Sequence, residues 1–487
     1  MKNGKEKSTS RYKYLAGNIA LFTIGNFVSK LLVFLLVPFY TNVLSTADYG
    51  IADIMQTTLL LLVPMLTVNM GEAALRFGIV KSDKRYAILR IGIKYILRAE
   101  LIVAVICLIA GYYVKAFRQY MILFIFLFGA NSLYEYLVLF FQGCEKVNIV
   151  VSGSILSTLI LIMSNILFLL VIKTGVSGYI VSQILAFLGA AVFMLLKGRV
   201  VIKKGSSGAG DDVLERELVD FGIPMIAYST GSFVNNAADR YLVSIMKGVA
   251  VNGVYGVAYK IPAMLTVFQR IFAQAWQMSA TKSYEDDNSV EFFSQMYKVY
   301  NTFMVTGCSF LILTVKALAY FMFKKDFFEA WRYVPLLLIS VVFGALTGFL
   351  GSICLAYKDS KAMGKATVTG AVVNIVLNLI LIPKYSAMGA SAATGISYFL
   401  MYHIAYIKTS LHVKLKVNRN IDYIAYVLLV IESFIMIKAK DYGLTDRGIY
   451  IAAGIVFVLI ILIYLKEIIE ILNKLIKVCI NDYNRKK

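Results

Sequence analysis

Charge, proline and histidine are all scarce in this chain. Only 16% of its 487 residues are Asp, Glu, Lys or Arg, against about 25% in a soluble globular domain, while 59% are hydrophobic. A soluble protein of this size cannot hide so much apolar surface, so the composition is that of an integral membrane protein. Six prolines and long unbroken apolar runs favour helices over the period-two strands of a membrane barrel. The two histidines, His403 and His412, lack a second ligand at metal spacing, which argues against a metal site. The five cysteines are Cys107, Cys144, Cys308, Cys354 and Cys479. They form no CxxC pair, and most fall inside or beside apolar segments, where cysteine is a small hydrophobe. No Gly-rich P-loop, HExxH or GxSxG motif is present, so the chain reads as a non-enzyme without cofactor, and any transport as secondary or potential-driven.

What the chain has instead is a row of fourteen apolar segments. They lie at about 13–40, 50–70, 85–113, 117–141, 147–172, 176–197, 217–246, 250–280, 293–323, 330–356, 361–382, 388–410, 420–438 and 448–470, each read as a transmembrane helix. The first follows a basic stretch (Lys2, Lys5, Lys7, Arg11, Lys13) and is too long for a signal peptide, so a true first span is expected. An even number of spans puts both termini on one side. Tails and loops on that side carry 29 Lys and Arg, and those on the other side carry 11. By the positive-inside rule both termini are cytoplasmic. The net charge of +21 then reflects cytoplasmic loops; no aromatic-plus-basic nucleic-acid motif accompanies it.

The longest polar connection, 198–216 (GRVVIKKGSSGAGDDVLER), is a Gly/Ser-rich linker after the sixth span. It separates two copies of one unit. Shifted by 206 residues, GNFVSKLLVFLLVPFYTNVLSTADYGIA at 25–52 aligns without gaps on GSFVNNAADRYLVSIMKGVAVNGVYGVA at 231–258, with nine of 28 positions identical. Chance predicts about 2–3 in so apolar a composition. Copies six spans apart keep the same orientation and are parallel repeats. The expected organisation is a first lobe at 1–197, the linker at 198–216, a second lobe at 217–411, and a terminal helix pair with a basic tail at 412–487.

Nine cations fall within spans: Lys30, Arg90, Lys94, Arg98, Arg240, Lys260, Arg270, Lys298 and Lys316. Counted, like these cations, at least five residues inside the segment ends, the acids are fewer: Glu100, Glu135, Asp239 and Glu432. Charge at membrane depth costs about 2.5–3.5 kcal/mol per group on insertion scales. Such an excess implies a cationic, water-filled cavity and an anionic substrate group. In the seventh span, Ser232, Asn235, Asn236, Asp239 and Arg240 recur at i, i+3, i+4, i+7 and i+8 as one polar stripe. Lys30 occupies the repeat position of Asn236. Asp239 and Arg240 also admit a purely structural reading, as a pair joining helices. Lys260 lies near mid-depth, with Arg270 deeper toward the cytoplasm. Arg90, Lys94 and Arg98, at i, i+4 and i+8, form either a basic track at the cytoplasmic mouth or side chains snorkelling from the inner leaflet. Glu135 is a possible partner for these cations; Glu432 has none legible in the sequence.

The stretches FVSKLLVFLLVPFYTNVLSTADYGIAD and NNAADRYLVSIMKGVAVNGVYGVAYKI resemble the polysaccharide (O-antigen or capsule type) flippases of the multidrug/oligosaccharidyl-lipid/polysaccharide exporter superfamily. The motifs are Tyr49-Gly50 after the first span, Asp239-Arg240 in the seventh, and Gly253-Val254-Tyr255-Gly256-Val257-Ala258-Tyr259 after it. The resemblance covers spans 1–12. It implies an all-α membrane protein of about 14 helices, whose two six-helix lobes form a V and work by alternating access. It further implies a bacterial cytoplasmic-membrane flippase moving a polyprenyl-diphosphate-linked oligosaccharide outward, with membrane lipids and a polysaccharide polymerase as partners. The candidate substrate-contacting residues are Lys30, Asn236, Asp239, Arg240, Lys260 and Arg270, with Lys94 and Arg98 at the mouth. A peptidoglycan lipid-precursor flippase and a cation-coupled multidrug exporter of the same superfamily remain alternatives. A lipid-linked glycosyltransferase or polymerase is disfavoured, because it needs a substantial outer loop and none here exceeds about fifteen residues.

Overall fold

The computed structural model describes residues 34–113, 118–199, 211–283, 288–438, 441 and 443–470. Among these, nearly everything is helical and no strand occurs. Contacts divide the chain into two compact units, Met1–Ala237 and Ala238–Lys487.

The first unit holds α1 (Val37–Val43), α2 (Thr46–Leu66), α3 (Met70–Val80), α4 (Arg85–Tyr113), α5 (Met121–Gly143), α6 (Val147–Asn165), α7 (Gly175–Gly198) and the start of α8 (Asp211–Lys247). A π-helical turn, Ile166–Val171, extends α6. Ser45 starts α2 with a reciprocal cap: its Oγ accepts from Asp48 N at 3.0 Å and donates to Asp48 Oδ2 at 2.7 Å. Lipid supplies no hydrophobic drive between helices, so close packing of small residues takes its place. A Cβ on Gly143 would lie 2.7 Å from the Ala74 carbonyl oxygen, so α3 and α5 meet backbone to backbone there. Gly92 on α4 leaves room for the buried Tyr136 ring, whose Oη donates to the Ile88 carbonyl at 2.8 Å. Met70, Ile88, Phe140, Phe141, Met194 and Leu214 form one core cluster around that contact.

The second unit holds the end of α8, then α9 (Val249–Ala258), α10 (Lys260–Ser283), α11 (Ser289–Leu313), α12 (Val315–Met322), α13 (Val334–Ala356), α14 (Ser360–Ser410), α15 (Arg419–Lys438) and α16 (Asp446–Ile463). Helix α13 is buried along most of its length. Trp276 of α10 stacks on its Phe349 ring at 4.1 Å and donates Nε1–H to the Phe349 carbonyl at 3.0 Å. Helix α14 is two antiparallel halves. Ser386 has φ 55° and ψ −140° beside Pro383, and Asn374 Nδ2 donates to Thr394 Oγ1 at 3.4 Å. In a straight helix those residues would stand about 30 Å apart. The last two helices dock on α11 through Asn301, whose Nδ2 donates to Asp422 at 2.8 Å and to Tyr464 at 3.0 Å, and whose Oδ1 accepts from Tyr426 at 2.9 Å. Glu432 finds its partner on the same seam, accepting from Ser309 Oγ at 2.5 Å.

Eight helices among the described residues are long and apolar enough to cross a bilayer, or nine with the bent pair α11–α12. The expected total of about fourteen counts more generously. The first span lies largely outside the described residues, α14 is a hairpin counted once, and α4, α8 and α10 carry the in-span charges. Helices stand at every expected segment after the first. Two pairs of helices run parallel: α2 with α7 (Asp48 beside Gly175, Gln56 bonded to Gln183) and α11 with α15 (Asn301 with Asp422, Ser309 with Glu432). One expectation is corrected. Between the segments at 50–70 and 85–113 the sequence predicts a loop, but α3 occupies most of it; at eleven residues with Glu72 and Arg76, it is too short and charged to read as a span. Tyr49–Gly50 and Tyr255–Gly256 are both buried near the start of a helix that follows a non-helical step in the backbone, at Leu44–Ser45 and at Gly248 (φ 96°).

Candidate functional site in the seventh span and its neighbours

The polar stripe of α8 divides into two faces. Asn235 and Asp239, four residues apart, are buried, whereas Asn236 is exposed and Arg240 only part-buried. Adjacent helical residues point about 100° apart, so α8 turns one pair into packed protein and the other toward a less buried, more open face.

On the packed face, Asp239 is 3% exposed. An ionised carboxylate there is tolerated only if its lone pairs are met by donors. Oδ2 accepts from Tyr255 Oη and Tyr259 Oη, each at 2.6 Å, and from Thr394 Oγ1 at 3.3 Å. Oδ1 accepts the backbone N–H of Arg240 at 2.9 Å. The two tyrosine hydroxyls lie 3.0 Å apart. Thr394 in turn receives Asn374, which accepts from Asn378 Nδ2 at 2.9 Å. Asp239 is thus anchored by neutral donors. Its bond to Arg240 is through backbone, not an ion pair of side chains.

On the open face, the Arg240 guanidinium lies over the Tyr259 ring, 4.6 Å from its centroid. The same tyrosine therefore links Asp239 to Arg240: its hydroxyl bonds the acid and its ring faces the cation. Lys260 follows Tyr259 in sequence and opens α10, part-buried. Arg270 is exposed on α10, about 15 Å farther along the helix axis. Within the second unit the structure thus joins Asp239 and Arg240 through Tyr259, with Lys260 the next residue along the chain, and sets Arg270 apart. Lys30 lies outside the described residues.

Lys94 and Arg98 belong to a different cluster, within the first unit. On α4, Arg90, Lys94 and Arg98 meet the first turns of α8. Arg90 Nη2 lies 2.5 Å from Asp211 Oδ2, Lys94 Nζ 2.7 Å from Glu215 Oε2, and Arg98 Nη1 3.9 Å from Glu215 Oε1. Tyr95 Oη donates to Glu215 at 3.2 Å, and Lys81 bonds Glu217. The Lys94 hydrogen bond, against some desolvation and with the Lys94 and Arg98 charges, holds the Glu215 carboxyl below its usual range; this residue precedes the expected seventh span. The basic track is therefore matched by acids. Sequence reasoning missed them because Asp211 and Glu215 fall in the polar linker. It named Tyr255 and Tyr259 only as part of a motif, not of the site, and missed Asn374, Asn378 and Thr394, although Tyr255/Tyr259 and Asn374/Asn378 each show i, i+4 spacing in apolar surroundings. Among the described residues no group of three or more His, Cys, Asp or Glu could hold a metal.

The sequence matches the family model described as polysaccharide biosynthesis protein over residues 15–277. No curated protein matches it. Among solved structures it is similar to the lipid II flippase MurJ in an inward closed conformation, at 15% identity and TM-score 0.66, covering 94% of this chain and 100% of that one. It is also similar to an inward-facing multidrug resistance MATE transporter of the MOP superfamily, at 12% identity and TM-score 0.64, covering 79% and 95%. A third likeness is to a MOP-superfamily transporter from Pyrococcus furiosus, at 14% identity and TM-score 0.51, covering 82% and 96%. The fold is the one these multi-pass membrane proteins share.

Proposed function

The chain belongs to the polysaccharide biosynthesis protein family, and from that premise we propose that it flips a polyprenyl-diphosphate-linked oligosaccharide from the cytoplasmic to the outer leaflet. The observation that carries this reading is the open face of α8. There a part-buried Arg240 lies over the ring of Tyr259, the residue that precedes Lys260, and Asn236 is one turn before it on α8. A guanidinium fork matches phosphate oxygens in two places at once, and a nearby ammonium adds charge without adding shape. Arg270 serves the same anion on its way in, and Lys30 is the repeat-related counterpart of Asn236. Asp239 acts through Tyr259, fixing the ring under Arg240. Moving a diphosphate outward across an inside-negative membrane is favoured by about 2.3 kcal/mol per charge per 100 mV. In this reading the lobes at 1–197 and 217–411 alternate access, and both termini and the 198–216 linker are cytoplasmic, in a bacterial inner membrane.

The test is export of surface glycan in cells carrying Arg240→Ala or Lys260→Ala. Export is expected to be lost with the protein still present in the membrane, and Arg240→Lys to restore it only in part. Normal export by both alanine variants would sink the assignment. The peptidoglycan-precursor alternative is favoured instead if depletion of the protein stops cell-wall synthesis rather than glycan display.

A further inference from the structure

The cations of α4 and the acids of α8 form a ladder in register. Asp211 and Glu215 are one turn apart, and so are Arg90 and Lys94, with Arg98 one turn beyond. Three cations face two carboxylates, and Arg98, at 3.9 Å, has the longest contact with a carboxylate that Lys94 already holds at 2.7 Å. Within the ladder the cations therefore outnumber the carboxylates by one. Its depth is also informative. Helix α4 has 29 residues, about 44 Å, against a hydrocarbon core of about 30 Å. It ends at the exposed aromatic pair Tyr112–Tyr113, the residue type that marks a membrane interface. Counting back about 20 residues puts the other boundary near residue 93. Arg90 then lies at headgroup level, Lys94 at the boundary, and Arg98 about 6 Å inside. A ladder at that level faces the phosphates of lipids, not the middle of the membrane.

We propose that the Arg90–Lys94–Arg98 ladder is an entry site for a diphosphate group, and that Asp211 and Glu215 are its built-in occupants, which an arriving diphosphate displaces. The carboxylates satisfy the cations in the ligand's absence and fasten the end of the linker to α4. A diphosphate offers more oxygens and more charge to the same three donors, and by displacing the acids it frees the N-terminal turns of α8. The proposal rests on the transport reading above for the lipid source of the diphosphate.

The test uses the full chain in nanodiscs of uncharged lipid, with two probes: inorganic pyrophosphate and a polyprenyl diphosphate. The variant Asp211→Asn/Glu215→Gln is expected to bind both at least about tenfold more tightly than wild type, a gain of about 1.4 kcal/mol. Adding Arg90→Gln/Lys94→Gln/Arg98→Gln should abolish that gain, and Arg90→Lys alone should preserve most of it. Unfolding midpoints in detergent identify any variant that has merely lost its fold, and the Arg90→Lys protein then carries the comparison. Unchanged affinity in Asp211→Asn/Glu215→Gln, or a gain that survives loss of the three cations, overturns the proposal. A gain for pyrophosphate alone overturns the lipid source. Export that needs Arg240 but is indifferent to the ladder, with no binding gain, sinks the entry site and leaves the transport reading intact.

Discussion

Helix α8 contributes acids to two clusters that solve the charge problem in opposite ways. Near its end, Asp239 is buried and, among the described residues, its side-chain donors are neutral: Tyr255, Tyr259 and Thr394. Near its start, Asp211 and Glu215 are paired with Arg90, Lys94 and Arg98, whose side chains are 44–56% exposed. The difference follows from solvation. A buried carboxylate must keep its hydrogen bonds or lose a desolvation energy that nothing returns. Half-exposed ion pairs gain about 0.2–1 kcal/mol each, because water competes for both partners. The first cluster is therefore expected to be rigid, and the second exchangeable.

Removing the acceptor of the buried cluster gives the largest expected effect. Asp239→Ala takes the shared acceptor from the buried Tyr255 and part-buried Tyr259 hydroxyls and opens a void, a loss of about 2–3 kcal/mol at about 1–3 kcal/mol per unsatisfied group. Asp239→Asn keeps an oxygen in place and should cost clearly less. Unfolding midpoints in detergent read the difference. If Asp239→Ala melts with wild type, the cluster is not the anchor that its geometry indicates.

A steric benchmark within α4 comes next. Gly92 sits between Arg90 and Lys94 on the opposite face of the helix, and a methyl group there overlaps the Tyr136 ring. Gly92→Ala should displace that ring and its bond to Ile88, costing about 1–3 kcal/mol as overpacking does. The same helix should then show a large penalty on its packed face and a small one on its ion-paired face. Equal penalties would mean that the ladder is more deeply structural than its exposure implies.

The sequence made most of the helices legible, because apolar runs of about 20 residues have few alternatives to a span. The site was legible in part. Periodicity placed Asn236, Asp239 and Arg240 on one stripe, but a stripe that wide covers two faces, and only packing shows that Asn235 and Asp239 turn inward. Thr394 is twenty residues from Asn374, and their contact exists only because the chain reverses near Ser386. The segments 361–382 and 388–410 were separable by pattern, but the register between them was not. Asp211 and Glu215 escaped notice for a different reason. They extend the seventh helix six residues before its expected start, into a stretch whose composition is that of a linker, and charge spacing at i, i+4 identifies a partner only when the facing helix is known.

The smallest effect sharpens the comparison most, because it depends on protonation and salt. The Glu215 carboxyl is held below its usual range, chiefly by the Lys94 hydrogen bond. A group whose value is lower in the folded protein stabilises the fold at any pH above its unfolded value, about 4.3 for Glu. That contribution fades as pH falls through the lower folded value, where folded and unfolded forms both take up the proton. Wild type should therefore exceed Glu215→Gln in unfolding midpoint at pH 7 by an amount corresponding to less than about 1 kcal/mol. The gap should hold down to about pH 4.3 and close below it. Raising salt toward 1 M, where the Debye length falls to about 3 Å, should shrink it at pH 7 as well. The difference between Asp239→Asn and wild type should respond little to the same salt, since Asp239 is screened from water by its tyrosines. A Glu215→Gln gap that ignores both acid and salt would mean that the ladder is held by packing around Tyr95, and the contrast between a rigid end and an exchangeable end of α8 would fail.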